Sequence, residues 1–239
     1  MFVQTIAAHI NDWAPRMLAG IRLTLSLTAG GFGLAFVLAL VLEYLRSRRF
    51  WLPRLFARLY LAIARGVPIL VILYVLYFAL PGAGITLSAQ LAGTIGLAFV
   101  YAAYLAEVFR SGLKAVPDGQ REAALSSGLT PFQTFRIILL PQALRYTLAP
   151  LLINLISLLK DSSICALIAV PELTLVSREI MAESFLPLQV FVLTAIFYFS
   201  VAWPTSLVSR AIERRLTQGS LKQAASRSTG LVPEAAPAQ

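Results

Sequence analysis

The sequence predicts an all-α integral membrane bundle of about five transmembrane helices, and three observations predict it. Of the 239 residues, 58% are hydrophobic and 13% charged, against roughly a quarter charged in a soluble domain. The apolar residues gather in runs close to the roughly 20 residues that cross a bilayer. Lys and Arg number 20 against 11 Asp and Glu, a net charge of +9, and they cluster in alternate connections between those runs. In a soluble chain such a charge would suggest nucleic acid; between apolar runs it is a topology signal, and no nucleic-acid partner is expected.

Residues 1–16 lack the basic start and long apolar stretch of a cleavable signal and are expected to form an N-terminal extracytoplasmic arm. Residues 23–42 contain no charged side chain and make the first span. Gly20, Thr24, Thr28, Gly31, Ala35 and Ala39 recur there every three or four residues, a small-residue face that a neighbouring helix can approach closely. Residues 50–65 mix Arg54, Arg58 and Arg65 with Leu and Trp in the manner of an interfacial helix, and the second span is expected over 67–84. The third covers about 87–109, the fourth 148–170 and the fifth 188–207. Residues 17–216 are thus the transmembrane domain. The Ser-, Ala-, Gln- and Pro-containing stretch 217–239 is expected to be a disordered cytoplasmic tail.

Basic residues are retained on the cytoplasmic side more readily than they are translocated. Arg46, Arg48, Arg49, Arg54 and Arg58 follow span one; Arg110, Lys114, Arg121, Arg136 and Arg145 follow span three; Arg210, Arg214, Arg215, Lys222 and Arg227 follow span five. The opposite connections are poor in positive charge: 81–90 has none, and 171–187 has Arg178 against Glu172, Glu179 and Glu183. The expected topology is N-terminus outside, C-terminus cytoplasmic.

The loop at about 111–141 carries the strongest local signals. Pro117, Asp118 and Gly119 mark a turn. The run from Gln120 to Leu125 favours helix, and Gly128 offers the left-handed position that ends one. Thr130 with Gln133 makes a capping box and Pro131 suits the first helical position. Phe132, Phe135 and Leu139 then share a face. A compact helix, glycine and helix unit of this kind suits docking to another protein.

In Glu122-Ala123-Ala124, then Gly128, then Ile138-Leu139-Leu140-Pro141, the chain resembles the EAA loop of ATP-binding-cassette importer permeases. Arg65-Gly66-Val67-Pro68, the run from Ala103 to Arg110, Val116 to Gln120, Leu158 to Ser163 and Val170 to Thr174 resemble the polar amino-acid uptake branch of that family. Phe99, Val100 and Tyr101 depart from it, where relatives often carry small polar residues. The resemblance implies a type I importer permease fold in a bacterial inner membrane. It also implies a division of labour: a soluble binding protein delivers a polar amino acid or opine-like solute outside, two permeases, identical or homologous, form the pathway, and ATPase subunits supply the power stroke. No cofactor is expected in this chain, because it has no G-x-x-x-x-G-K-[ST] loop and no Gly-Lys pair; ATP and Mg would be used by the partner ATPase.

For coupling to the ATPase, the candidate residues are Glu122, Ala123, Ala124, Gly128 and Pro141. For the solute pathway, Lys160 and Asp161 lie mid-span in apolar sequence, where a charge costs roughly 2.5 kcal/mol or more and faces protein or water rather than lipid. Asn154, Ser162 and Ser163 add hydrogen-bonding groups suited to a broken helix lining a cavity. Asp161 and Glu107 are expected to present carboxylates to a substrate ammonium, with Tyr104 nearby. Two structural alternatives stay open: Glu107 pairing with Arg110 one turn later, and Lys160 and Asp161 tying helices together. With one His and one Cys, no nucleophile–base pair or metal cluster forms, so an enzyme is not expected. The competing reading is an ion-gradient-driven secondary transporter or channel, with Asp161, Glu107 and Lys160 as a cation relay.

Overall fold

The computed structural model describes residues 2–229, and every regular element among them is helical. Helix α1 runs unbroken over Phe2–Ser47. At 1.5 Å per residue it extends about 69 Å, roughly twice the hydrocarbon thickness of a bilayer. Its small-residue face is buried throughout, mainly against α4 (Ala89–Lys114) and α8 (Leu173–Ser184). At Gly20 the approach is so close that a Cβ would stand 2.9 Å from the Leu173 Cα. The main core gathers Leu27, Leu97, Tyr101, Leu105, Leu158 and Ile168 between these helices and the rod over Pro131–Ile168.

The expected N-terminal arm is no separate arm but the first turns of α1. Trp13 and Met17 are buried with Leu173, Val176, Ile180, Val190 and Leu193 in a second core. Amphipathic sequence around Pro15 found an apolar partner in α8, and the winding never stopped. Two hydrogen bonds from Arg16 to Glu183, at 2.5 and 2.8 Å, strap the edge of this cap. Arg16 holds the Glu183 carboxyl below its usual range. A depressed folded value contributes stability above the ordinary carboxylate range and loses it as pH falls through the depressed value. Glu183→Gln is therefore expected to lower the thermal midpoint slightly at neutral pH and low salt. The difference should vanish in strong acid or molar salt, because the pair is exposed and screened.

The second span is a bent pair. α2 (Trp51–Gly66) meets α3 (Ile69–Ala83) at 105°. Pro68 holds Val67 in an extended conformation, φ −100° and ψ 131°, which stops the helix. α2 is not the free interfacial helix its composition suggests: Ala57, Leu61 and Ala64 are buried and the Tyr60 hydroxyl donates to the Phe99 carbonyl of α4 at 2.8 Å. Together with α3 it is long and apolar enough to make one bent span, beside four continuous helices of spanning length and hydropathy among the described residues.

The fourth span starts well before residue 148. Pro131–Ile168 is a single rod of 38 residues, made of a short α6 (Pro131–Gln133), a π-wound segment Thr134–Leu139, α7 (Leu140–Asp161) and a 3-10 segment Ser162–Ile168. Pro141 lies inside this rod, directly after the π-wound segment, at the start of α7. α9 runs over Pro187–Thr229. Residues 217–229, expected as disordered tail, continue that helix; their Leu, Lys, Gln and Ala content favours it. Residues 230–239 lie outside the described residues.

Candidate functional site

The helix–glycine–helix unit forms as its local chemistry dictates. α5 (Asp118–Ser126) ends at Gly128, whose φ is +82°. The Gly128 N–H donates to Leu125 O at 3.0 Å and the Leu129 N–H to Ala124 O at 3.2 Å, the paired bonds of a Schellman end. The Thr130 hydroxyl accepts from the Gln133 N–H at 3.3 Å, and the Gln133 side chain accepts from the Thr130 N–H at 2.9 Å, completing the capping box. Gln142 on α7 donates to the Gln120 side chain on α5 at 3.3 Å.

Glu122, Ala123, Gly128 and Pro141 are exposed, whereas Ala124 is buried at 7% and packs α5 onto its neighbour. Phe132 is 69% exposed, beside exposed Leu125 and Phe135.

The pathway candidates divide. Asp161 closes α7 and accepts a 2.8 Å hydrogen bond from the Tyr101 hydroxyl on α4. The Tyr101 and Tyr104 rings lie 5.8 Å apart. Lys160 and Tyr104 are exposed, and Ser163 and Asn154 are half-buried, the Asn154 amide donating to Pro150 O. Ser162 is fully buried, its hydroxyl turned back to Leu159 O at 2.7 Å, so the expected contact with solute is not available to it.

Glu107 pairs with neither Asp161's neighbourhood nor Arg110. It accepts from Arg46 of α1 at 2.8 Å, and Arg46 also holds Glu43 at 2.9 Å. Six residues separate Tyr101 from Glu107 on α4, about 9 Å along its axis, so the two carboxylates stand at different levels. The break expected near Asp161 does not form: winding tightens from α to 3-10 after Asp161, but the rod continues to Ile168 and the chain turns only at Ala169, φ +60°.

A further buried acid escaped the sequence reading. Glu172 is 0% exposed and caps α8, accepting from the Leu175 N–H at 2.9 Å. Its other oxygen accepts from the Tyr198 hydroxyl of α9 at 2.7 Å, and Thr24 of α1 stands 3.4 Å away while accepting the Leu173 N–H. Thus α1, α8 and α9 converge on one carboxyl group. Burial pushes its pKa up, against the downward pull of these hydrogen bonds. Glu is not one of the usual N-cap residues, and the other partners of Glu172 lie 148 and 26 residues away, beyond any local pattern.

Among the described residues no group of His, Cys, Asp and Glu is placed to hold a metal ion. Residues 21–218 match the family described as binding-protein-dependent transport system inner membrane component. The chain is 39% identical over 201 residues to a probable amino-acid ABC transporter permease of Bacillus subtilis, YckA, covering 84% of this chain and 89% of that one. It is 32% identical over 213 residues to the glutamine transport system permease GlnP of Escherichia coli K12, covering 86% and 97%. A solved amino acid ABC transporter with histidines superposes with a TM-score of 0.83 at 30% identity, covering 87% and 97%. The MetNI methionine transporter in an inward-facing conformation, 23% identical with a TM-score of 0.64, shares the fold.

Proposed function

The chain belongs to the family of binding-protein-dependent transport system inner membrane components, and from that premise we propose that it conducts a polar amino acid or opine-like solute, driven through its 111–141 loop. It is the permease subunit of an ABC importer and not an enzyme; a separate ATPase and a second permease complete the transporter. The relatives' amino-acid substrates support the solute class. An extracytoplasmic binding protein delivers the solute, and the partner ATPase uses ATP and Mg. The alternating basic connections support an N-terminus outside and a cytoplasmic C-terminus.

The observation that carries the coupling role is continuity. The exposed unit at Glu122, Ala123 and Gly128 leads through one capped helical rod, past Pro141, to Asp161. A displacement of the loop by the ATPase is passed along that rod without an intervening hinge. Ala124 supports the docking face from beneath; Glu122 and Ala123 form it.

Cysteines placed singly at Ala123 and Leu125 should cross-link to the ATPase, with yields that change when nucleotide binds. Cys165 is buried, so the native chain is a suitable background. Cross-linking no better than at an outer position such as Val3 would remove the coupling role.

For the pathway, Tyr104 on α4 and Asn154, Lys160, Asp161 and Ser163 along the rod supply polar groups near the change from α to 3-10 winding, and polar side chains within a span are suited to a solute. Asp161→Asn is expected to lower uptake roughly tenfold, the scale of one charge-assisted hydrogen bond, with basal ATPase activity and assembly retained. Failure to assemble would instead make the Asp161–Tyr101 bond a structural tie. A cation relay through Asp161 and Glu107 gains no support, since Arg46 already neutralises Glu107.

A further inference from the structure

Five charged side chains from three helices meet around one cavity of about 300 Å³: Glu43 and Arg46 of α1, Arg54 and Arg58 of α2, and Arg110 of α4. The charges do not cancel. Arg46 is committed to Glu43 and Glu107. Arg54 donates to the backbone carbonyls of Phe50 and Arg49, bonds that orient it without neutralising it. Arg58 and Arg110 make no hydrogen bond among the described residues. Three guanidinium groups thus surround the space against two carboxylates already held by a fourth.

Basic residues at the ends of spans are ordinarily solvated one by one. Here they are drawn together only by folding, from positions 46 to 110 in the chain.

Next to this cavity lies an apolar groove of about 370 Å³, and Glu43 and Ser47 line both. Phe36, Leu40, Phe109, Leu140 and Leu144 form its walls. Beside it, Tyr44, Phe50 and Trp51 are exposed, the residues that settle at a membrane's headgroup level. A cationic chamber joined to an apolar slot at the ends of membrane helices is complementary to one kind of molecule, an amphiphile with an anionic head. Guanidinium groups match phosphate oxygens in charge and shape.

We propose that this composite cavity is a binding site for an anionic phospholipid, its phosphate among Arg54, Arg58 and Arg110 and an acyl chain in the groove between α1, α4 and α7. The bound lipid staples the broken second span to α1 and α4 beside the loop that meets the ATPase. Only the choice of leaflet rests on the proposed topology.

The test uses the full permease–ATPase complex in a neutral detergent, which has no sidedness. Binding is measured for phosphatidylglycerol, phosphatidylcholine and inorganic phosphate. Phosphatidylglycerol is expected to bind tighter than phosphatidylcholine by roughly tenfold or more, the effect of two or more basic residues, with inorganic phosphate far weaker than either. The double variant Arg54→Gln, Arg58→Gln should lose that preference, and Arg54→Lys, Arg58→Lys should keep most of it. Leu40→Trp, which fills the groove but leaves the arginines, should weaken the lipid without changing the phosphate. If the double glutamine variant does not assemble, Arg58→Gln alone, which breaks no hydrogen bond, carries the comparison.

Equal binding of the two lipids, or an undiminished preference in the glutamine variants, overturns the proposal. So does phosphate binding as tightly as the lipid, which would make the chamber a site for a free anion. Cross-linking of groove cysteines to the second permease would make it a subunit interface instead.

Discussion

Gly128→Val is expected to cut solute uptake by about tenfold or more while the protein still inserts and folds. A Cβ at Gly128 would meet nothing within 4 Å, so the space around the residue is not at stake. What matters is φ of +82°, which costs an L residue roughly 1–2 kcal/mol and more when it is β-branched. The Val variant relieves that strain by abandoning the two backbone bonds that end α5, which frees α5 to swing relative to the rod beginning at Thr130. One factor of ten corresponds to about 1.4 kcal/mol, within reach of the strain alone. The order expected is Asn near wild type, Ala intermediate and Val lowest, because Asn tolerates the left-handed region. Uptake by vesicles containing the whole transporter, set against ATPase retained on purification, measures it. Normal uptake by a properly assembled Val variant would show that the elbow transmits nothing.

The second large effect is on stability. Glu172→Ala leaves the Leu175 N–H without its acceptor, at about 1–3 kcal/mol, and removes one of the two partners of the Tyr198 hydroxyl, the other being Thr174 at 2.9 Å; the loss should appear as a lower thermal midpoint of the solubilised complex. Glu172→Gln keeps an acceptor and should cost much less. The pH dependence separates charge from shape. Because burial raises the folded value, the folded chain holds this proton more tightly than the unfolded one. Its contribution is therefore fully present below the ordinary carboxylate value and declines as pH rises through the raised one. The Gln variant should lack that decline, so the gap between wild type and Gln should shift in favour of Gln as pH rises above about 4.5. A gap that stays constant with pH would mean that the carboxyl group does not titrate in this range.

What the sequence made legible was set by short-range chemistry. The Gly128 turn and the Thr130 cap depend on residues within one or two turns, and the Gly20-to-Ala39 stripe on a spacing of three or four repeated along one helix; all three form. The pairings of charges were not legible. Glu107 had Arg110 at hand in sequence, yet Arg46 reaches it from 61 residues away. Asp161 found Tyr101 across 60 residues. Helix lengths were underestimated for a related reason. Hydropathy marks where lipid begins and ends, whereas α1 and the Pro131–Ile168 rod continue into regions where protein contacts, not lipid, support the winding.

The π-wound stretch Thr134–Leu139 has one more consequence. Such winding accommodates a surplus residue while keeping the segments on either side in phase. Losing one residue here, at exposed Ile137 for example, would let the rod relax to regular α winding with Phe132 and Asp161 still facing as before. The same deletion among residues 151–157 would turn everything after it by about 100°, carrying Asp161 away from Tyr101. Drift in chain length is thus survivable at the slack turn and ruinous a few turns later.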